Sequence, residues 1–284
     1  MPYWLQSGMI IYLMKRLCLS VILTLALAQV YAQDGEEEPV SSQVNQETTS
    51  AAAANNALSR LDVGIQYISQ TGIDQATIEA TYTQVFAAHH QIAMTAPLVD
   101  EGLDSSINMS AGDLEFGYSY TPGHALNASP WVPSDVGTGV GLSIPTGDHG
   151  KGTGLGSYVV APRLGFIKRL GSNFVISPTI GYEYSFKEQA DGVKVREWVL
   201  GASIIYVGPR TLWVQWVPSY IADTNLDVGA FETTITVGKL FTRHFAMSFD
   251  FMRGPTFVAN SDGVTTDYAN SYMLSFHMPF AYPQ

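Results

Sequence analysis

The residues best placed to do chemistry lie in the stretch Ile144 to Gly156, IPTGDHGKGTGLG, where Lys151 stands between two glycines and near Thr153. A phosphate-cradling loop has the form G-x-x-x-x-G-K-[ST], with a strand before it and a helix after it. Here Lys151 is followed by Gly152, and Thr153 comes one place too late. The next segment, SYVVAPRLGFI, alternates like a strand rather than opening a helix. Phosphate binding is therefore not expected. The glycines read instead as an outer loop whose tight turns need positive φ.

Histidine is the other source of chemistry. The six are His89, His90, His124, His149, His244 and His277, and none stands in an H-x-S pattern. A lipid hydrolase needs a histidine base beside a serine hydroxyl. His149, with Ser157 at the start of the next strand, is the best-placed candidate. His89 and His90 could meet a metal at a turn, but adjacent residues on a strand point apart and no carboxylate cluster accompanies them. The chain is expected to be no enzyme and to carry no catalytic residue, metal or cofactor.

The compartment comes from the N-terminus. In MKRLCLSVILTLALAQVYAQ, Lys15 and Arg16 precede an apolar run from Leu17 to Ala28, and Val30-Tyr31-Ala32 offers small residues before Gln33. This is the layout of a cleaved signal peptide, 1–32, with translation starting at Met14. The apolar run is short of the roughly twenty residues of a spanning helix. The single cysteine, Cys18, lies inside this leader, so the mature chain has no thiol chemistry. Removing 1–32 takes away two of the 14 basic residues and none of the 25 acidic ones, leaving 12 against 25 and a formal charge of −13. So acidic a chain is unsuited to binding nucleic acid. Residues 33–59, opening with GEEEP and reaching SAAAANNALS, lack the apolar residues of a core and read as a periplasmic tether, with room for a short helix around 51–58. Folded back into the lumen of a barrel, this tether would act as a plug.

From residue 60 to 284 the hydrophobic period is two. DLEFGYSY puts Leu114, Phe116, Tyr118 and Tyr120 on one face. NFVISPTIGYEYSF and HFAMSFDF do the same with Phe174 to Phe186 and Phe245 to Phe251. Alternation of this length means strands with one apolar and one polar or small face. The strands are expected at 61–68, 77–87, 91–98, 112–121, 135–145, 157–168, 173–187, 194–207, 210–221, 229–240, 243–252 and 270–280. A soluble sandwich also alternates. Three features favour an antiparallel, up-and-down transmembrane β-barrel of about twelve strands. The strands are long enough for a tilted bilayer crossing. The polar face is rich in Gly, Ser and Thr. Tyr120, Tyr184, Trp198, Tyr206, Trp216, Tyr220 and Tyr272 could form interfacial girdles. Connections 169–173, 207–210 and 242–244 are tight. Those at 187–194, 221–229 and 253–270 are expected as longer outer loops, and 122–134 as a long periplasmic connection.

With the apolar face toward lipid, the lumen is expected to be lined by Glu79, Glu115, Arg163, Glu183, Glu197, Gln215, Glu232, Lys239 and Asp250. Two readings stand: a network of ion pairs filling the barrel, or a pore wall with cation preference.

Two further patterns are family signals. GDLEFGYSY, followed by GTGVGLSIPTGD, resembles the outer-membrane transporter family of the meta-pathway of phenol degradation, through Gly112, Asp113, Leu114, Gly117 and Tyr120, then Gly141, Leu142, Pro145, Thr146, Gly147 and Asp148. The resemblance implies a barrel passing small, often aromatic or hydrophobic, compounds. Pro145 can also simply end the strand and Gly147 allow the turn. The last strand, with Tyr272, Leu274, Phe276, Met278 and Phe280 alternating, resembles the C-terminal signal read by the barrel-assembly machinery, although AYPQ follows Phe280. The expected partners are the outer-membrane bilayer, that machinery and small solutes. The expected function is a channel or transporter for small solutes, with a structural or surface-interaction barrel as the alternative.

Overall fold

The computed structural model describes residues 58–281, apart from 71–72, 87–88, 101–107, 122–134, 152, 172, 187–193, 243–244 and 261–262. The expected signal peptide, residues 33–57 of the tether and the plug it would form lie outside the described residues, as do His124, His244 and the connection 122–134.

Thirteen strands follow one another: β1 (Leu58–Gln70), β2 (Ile73–Phe86), β3 (His90–Asp100), β4 (Met109–Ala111), β5 (Leu114–Tyr120), β6 (Asp135–Ile144), β7 (Tyr158–Leu170), β8 (Phe174–Phe186), β9 (Arg196–Val207), β10 (Leu212–Asp223), β11 (Val228–Thr242), β12 (Phe245–Asn260) and β13 (Gly263–Ala281). Each long strand pairs antiparallel with its neighbours in the chain, and β13 pairs with β1 to close the sheet. The three-residue β4 and β5 both pair with β3, so together they make one wall position and the barrel has twelve. Closure satisfies the backbone of a β structure in lipid, because it leaves no edge. Leu58 lies opposite Ala281, so the described chain begins and ends at the same rim, here called the near rim.

The register explains the alternation. On the outer face Ile65 lies opposite Ile78 and Leu274, Phe116 opposite Leu142, and Ile180 opposite Leu164 and Leu200. Ile78, Met94, Val140, Leu200, Ile235 and Phe249 are all exposed, which makes sense only on a surface that faces hydrocarbon. All seven aromatic residues expected at the girdles face outward. Trp216 and Tyr272, however, sit in mid-strand rather than at a rim. The Trp216 indole N–H donates to Thr233 Oγ1 at 2.9 Å, which satisfies its polar edge at that depth.

The far rim differs from expectation. Residues 253–270 are not a loop: β12 and β13 continue as a paired hairpin up to Asn260 opposite Gly263. The run PTFVAN and its partner VTTDYAN are rich in β-branched and aromatic residues, and Asp262-Gly263 is a hairpin turn signal. Residues 221–229 also shorten to a turn, Thr224 to Asp227. There Asp223 Oδ1 accepts the N–H groups of Asn225 (2.6 Å) and Leu226 (3.0 Å).

Candidate functional site: the lumen and its rim clasp

Alternation assigns one side chain in two to the inside. Glu79, Glu115, Arg163, Glu183, Glu197, Gln215, Glu232 and Asp250 all stand on the face opposite the exposed apolar residues. Lys239 does not. It is in register with Leu212 and Met247 on the outer face, and its Nζ lies 5.1 Å from the Phe241 ring centre. A bulge at Leu240/Thr242 ends the strand just beyond, so this is a rim cation lying along its own apolar stem and a ring. Arg196, over Tyr184 at 5.2 Å, and Arg253, over Tyr268 at 5.1 Å, repeat the arrangement.

Five inward carboxylates, Glu115, Glu183, Glu197, Asp223 and Glu232, stand toward the far rim. Glu183 lies directly opposite Glu197, and Glu197 directly opposite Asp223, so three acidic residues stand side by side on β8, β9 and β10. Like charges in such positions destabilise a sheet. Arg163 Nη2 pairs with Glu183 Oε1 at 3.0 Å, and the Arg163 side chain is still 61% exposed although it points inward. Beside it the wall is bare backbone: Gly137, Gly139 and Gly141 on β6, Gly165 on β7, Gly181 on β8 and Gly201 on β9. The inside of the barrel is thus open at this level.

The opposite wall, nearer the near rim, carries a hydrogen-bonded chain that sequence reasoning missed. His277 Nδ1 lies 2.9 Å from Asp62 Oδ1, and Arg60 Nε donates to Asp62 Oδ2 at 2.8 Å. With Nδ1–H donated to Asp62, the other ring nitrogen accepts from the Ser248 hydroxyl at 3.0 Å. Asp250 continues the chain, accepting from Thr236 Oγ1 at 2.5 Å and lying 3.4 Å from both Ser248 Oγ and Ser275 Oγ. Ser248, His277 and Asp62 have the distances of a nucleophile, base and orienting carboxylate. Their surroundings are wrong for acyl transfer. Ser248 is 4% exposed, its strand's backbone is committed to the ladders, and the Asp250 carboxylate stands where an oxyanion would need donors. The chain instead fastens β11, β12 and β13 to β1 across the closing seam. A signal was present in the sequence: His277, Ser248 and Asp62 all occupy inward positions of alternating strands. Only the register, Ala246 and Asp62 both opposite His277, brings them together.

The remaining histidines take structural places. His90 points outward, with Nδ1 2.8 Å from the Tyr118 hydroxyl and its ring 4.8 Å from that of Tyr120. His89 meets the edge of the same Tyr120 ring at 6.5 Å. His149 Nδ1 lies 3.2 Å from the Gly154 carbonyl oxygen, inside its own loop, and Ser157 is wholly buried.

The motif residues form a clasp. β4 stops at Ala111 and β5 starts at Leu114, so Gly112 and Asp113 interrupt the wall. Thr146 bridges the break: its hydroxyl donates to the Gly112 carbonyl at 2.6 Å and accepts from the Leu114 N–H at 3.0 Å. Asp113 reaches the other way and accepts the N–H groups of Gly147 (3.0 Å) and Leu155 (2.7 Å). Asp148 organises the turn His149–Lys151, accepting from Gly150 N–H with its side chain, while its own N–H donates to Thr153 Oγ1. A side chain on Gly147 would strike Thr153 O, and one on Gly154 would strike Asp113. Among the described glycines of this loop only Gly156 has positive φ. Close approach accounts for Gly147 and Gly154, and the expected turn geometry for Gly156.

Closed twelve-position barrel, apolar outside and polar inside, is the architecture of outer-membrane β-barrels. Comparison with solved structures gives the same class. The COG4313 outer membrane channel from Pseudomonas putida F1 aligns with a TM-score of 0.59 at 13% identity, over 86% of this chain and all of that one. The NanC porin aligns with a TM-score of 0.55 at 11% identity, over 77% and 98%. The KdgM porin, in complex with disordered oligogalacturonate, aligns with a TM-score of 0.53 at 9% identity, over 77% and 99%. These likenesses establish the fold. No protein-family model and no curated protein matches the chain.

Proposed function

We propose that the protein is an outer-membrane channel for small solutes, with its near rim in the periplasm and a lumen wall that favours cations. The observation that carries this reading is Arg163. An inward-pointing side chain that is 61% exposed, beside a wall of glycines, means solvent-accessible space inside the barrel. The opposed pair Glu183 and Glu197 supports the cation preference, Asp223 beside it being buried against its own turn. It costs the sheet stability through like-charge contact, and attraction of cations to the pore would account for it. The eight inward residues Glu79, Glu115, Arg163, Glu183, Glu197, Gln215, Glu232 and Asp250 are the proposed lining. Export across the inner membrane behind a signal peptide, insertion by the barrel-assembly machinery and passage of aromatic or hydrophobic compounds belong to the same reading. The last of these rests on the family resemblance of the clasp residues.

Flux into liposomes holding the refolded protein tests it, with a small aromatic acid, a sugar and a simple cation compared. Flux above empty liposomes supports a channel, and the ranking shows what the wall selects. No flux from protein with a closed, heat-modifiable barrel overturns the reading in favour of a structural barrel without transport.

A further inference from the structure

At the far rim β12 leaves β11 after Arg253, opposite Thr233, and runs on with β13 alone to Asn260. β11 stays with β10 as far as the turn Thr224 to Asp227. A cavity of about 510 Å³ is lined by β12, by the end of β10 with its turn, and by the start of β9. That volume suits a small organic molecule rather than a bare ion.

One wall of the cavity is a single fastened piece. Thr224 donates both its N–H and its hydroxyl to the Arg196 carbonyl, each at 2.8 Å, and Asn225 Nδ2 donates to the Lys194 carbonyl at 3.3 Å. Asp223 spends Oδ1 on the N–H groups of Asn225 and Leu226. The turn and the start of β9 are thereby held together before any ligand arrives, which lowers the ordering cost of binding.

Two charges on this cavity are unspent. Lys194 and Glu197 both line it. Among the described residues neither makes an ion pair, with the other or with a third group. Glu183, opposite Glu197, is already taken by Arg163. An ammonium and a carboxylate on one cavity, not joined to each other, fit a guest that carries both opposite charges. Thr256 adds a hydroxyl, while Ile221, Leu226 and Pro255 supply apolar surface.

We propose that this cavity is an entry site of the channel for zwitterionic α-amino acids. The guest's carboxylate meets Lys194, its ammonium meets Glu197, and an aliphatic side chain lies against Ile221, Leu226 and Pro255. The inference rests on the channel reading and names a substrate class for it. A simple cation would use Glu197 but share the space with Lys194. A sugar would leave both charges without a partner. A zwitterion satisfies both and brings no net charge, so it is held weakly enough to leave again, as conduction requires.

The test is calorimetric titration of the full barrel in detergent micelles with leucine, isoamylamine (leucine without its carboxylate), isocaproate (leucine without its ammonium) and glucose. Leucine should bind roughly tenfold tighter than either one-charge analogue, the scale of one charge-assisted contact. Lys194→Met should weaken leucine by a similar factor and leave isoamylamine no weaker. Glu197→Gln should weaken leucine likewise and leave isocaproate no weaker. Lys151→Met, which removes the same charge elsewhere on the far rim, should bind leucine as wild type does. Heat-modifiable mobility confirms that each barrel is closed, and the wild-type ranking of the four guests needs no variant. Leucine bound no tighter than isoamylamine or isocaproate overturns the site, as does a leucine affinity unchanged in both closed variants, or glucose bound in preference to leucine. Binding is read without flux, so the two readings fail separately. Leucine held by a barrel that passes no solute keeps the site and overturns the channel, whereas flux without leucine binding overturns the site and keeps the channel.

Discussion

Asp62 and His277 join the first long strand of the barrel to the last, with His277 Nδ1 2.9 Å from Asp62 Oδ1 across the β1–β13 seam. β1 and β13 stand at the two ends of the described chain, so this seam is held by its backbone ladder and its side-chain contacts without a short chain connection. Arg60 holds the second oxygen of Asp62 at 2.8 Å, so the carboxylate is fixed from both sides. Asp62→Asn should destabilise the folded barrel by about 1–3 kcal/mol, the range for hydrogen bonds to charged groups in partly buried sites. His277→Gln should cost a similar amount. The double variant should fall short of the sum, since both remove the same contact. Urea unfolding in detergent micelles measures all three, and strict additivity would mean that the pair is not coupled.

The clasp makes a separate prediction. Asp113 is 9% exposed and accepts two backbone N–H groups of the 145–157 loop. Asp113→Ala should free that loop at a local cost of about 2 kcal/mol, while the far-away seam keeps the barrel closed. Lys151 is exposed at the tip. Trypsin cleavage after Lys151 should therefore speed up by roughly thirtyfold, the factor equivalent to that energy. Asp113→Asn, which keeps one acceptor oxygen, should lie between. Equal cleavage of wild type and Asp113→Ala would show that the loop is held by other contacts.

These two relationships show what the sequence made legible. Alternation placed all twelve wall positions, and the faces of residues such as Glu183 and Gln215 followed from parity alone. Parity puts Lys239 outside with Ile235 and Val237, and the structure agrees; the expectation that its charge belongs in the lumen is what failed, because a cation at the rim can lie over a neighbouring phenylalanine on the outer face. The far-rim hairpin was hidden by Gly254-Pro255, which read as the start of a loop. Gly254 is in fact needed because the Glu232 carboxylate lies over it, where a Cβ would come within 2.9 Å of Oε2. Groupings between neighbouring strands, such as Thr146 with Gly112 or Ser248 with His277, depend on strand register. A one-residue slip would separate them, and no local pattern fixes that register.

Ser248 gives a sharper chemical forecast. Its hydroxyl has a histidine 3.0 Å away, but Asp250 crowds it and little solvent reaches it. A fluorophosphonate probe, which reports a nucleophilic serine with a working oxyanion site, should leave the folded protein unlabelled. Ser248→Ala should lower stability by about 1 kcal/mol through the lost hydrogen bond and should leave solute flux unchanged. Covalent labelling mapped to Ser248 would reverse this and assign the relay to acyl transfer.

Charge selection is the last consequence. Glu183 and Glu197 face each other on adjacent strands, and Glu232 stands on the same inner surface two strands further round. Glutamine at all three keeps shape and hydrogen-bonding capacity while removing the charge, so the barrel should fold at least as well once the opposed Glu183 and Glu197 no longer repel. Potassium-over-chloride selectivity in planar bilayers should fall. Because screening shortens the reach of charge from about 10 Å at 0.1 M salt to about 3 Å at 1 M, the difference between wild type and triple variant should be large in dilute salt and nearly vanish in concentrated salt. A selectivity difference that persisted unchanged at 1 M would point to direct coordination of ions by these carboxylates. No difference at 0.1 M would mean that the permeating path runs past the glycine wall beyond their reach.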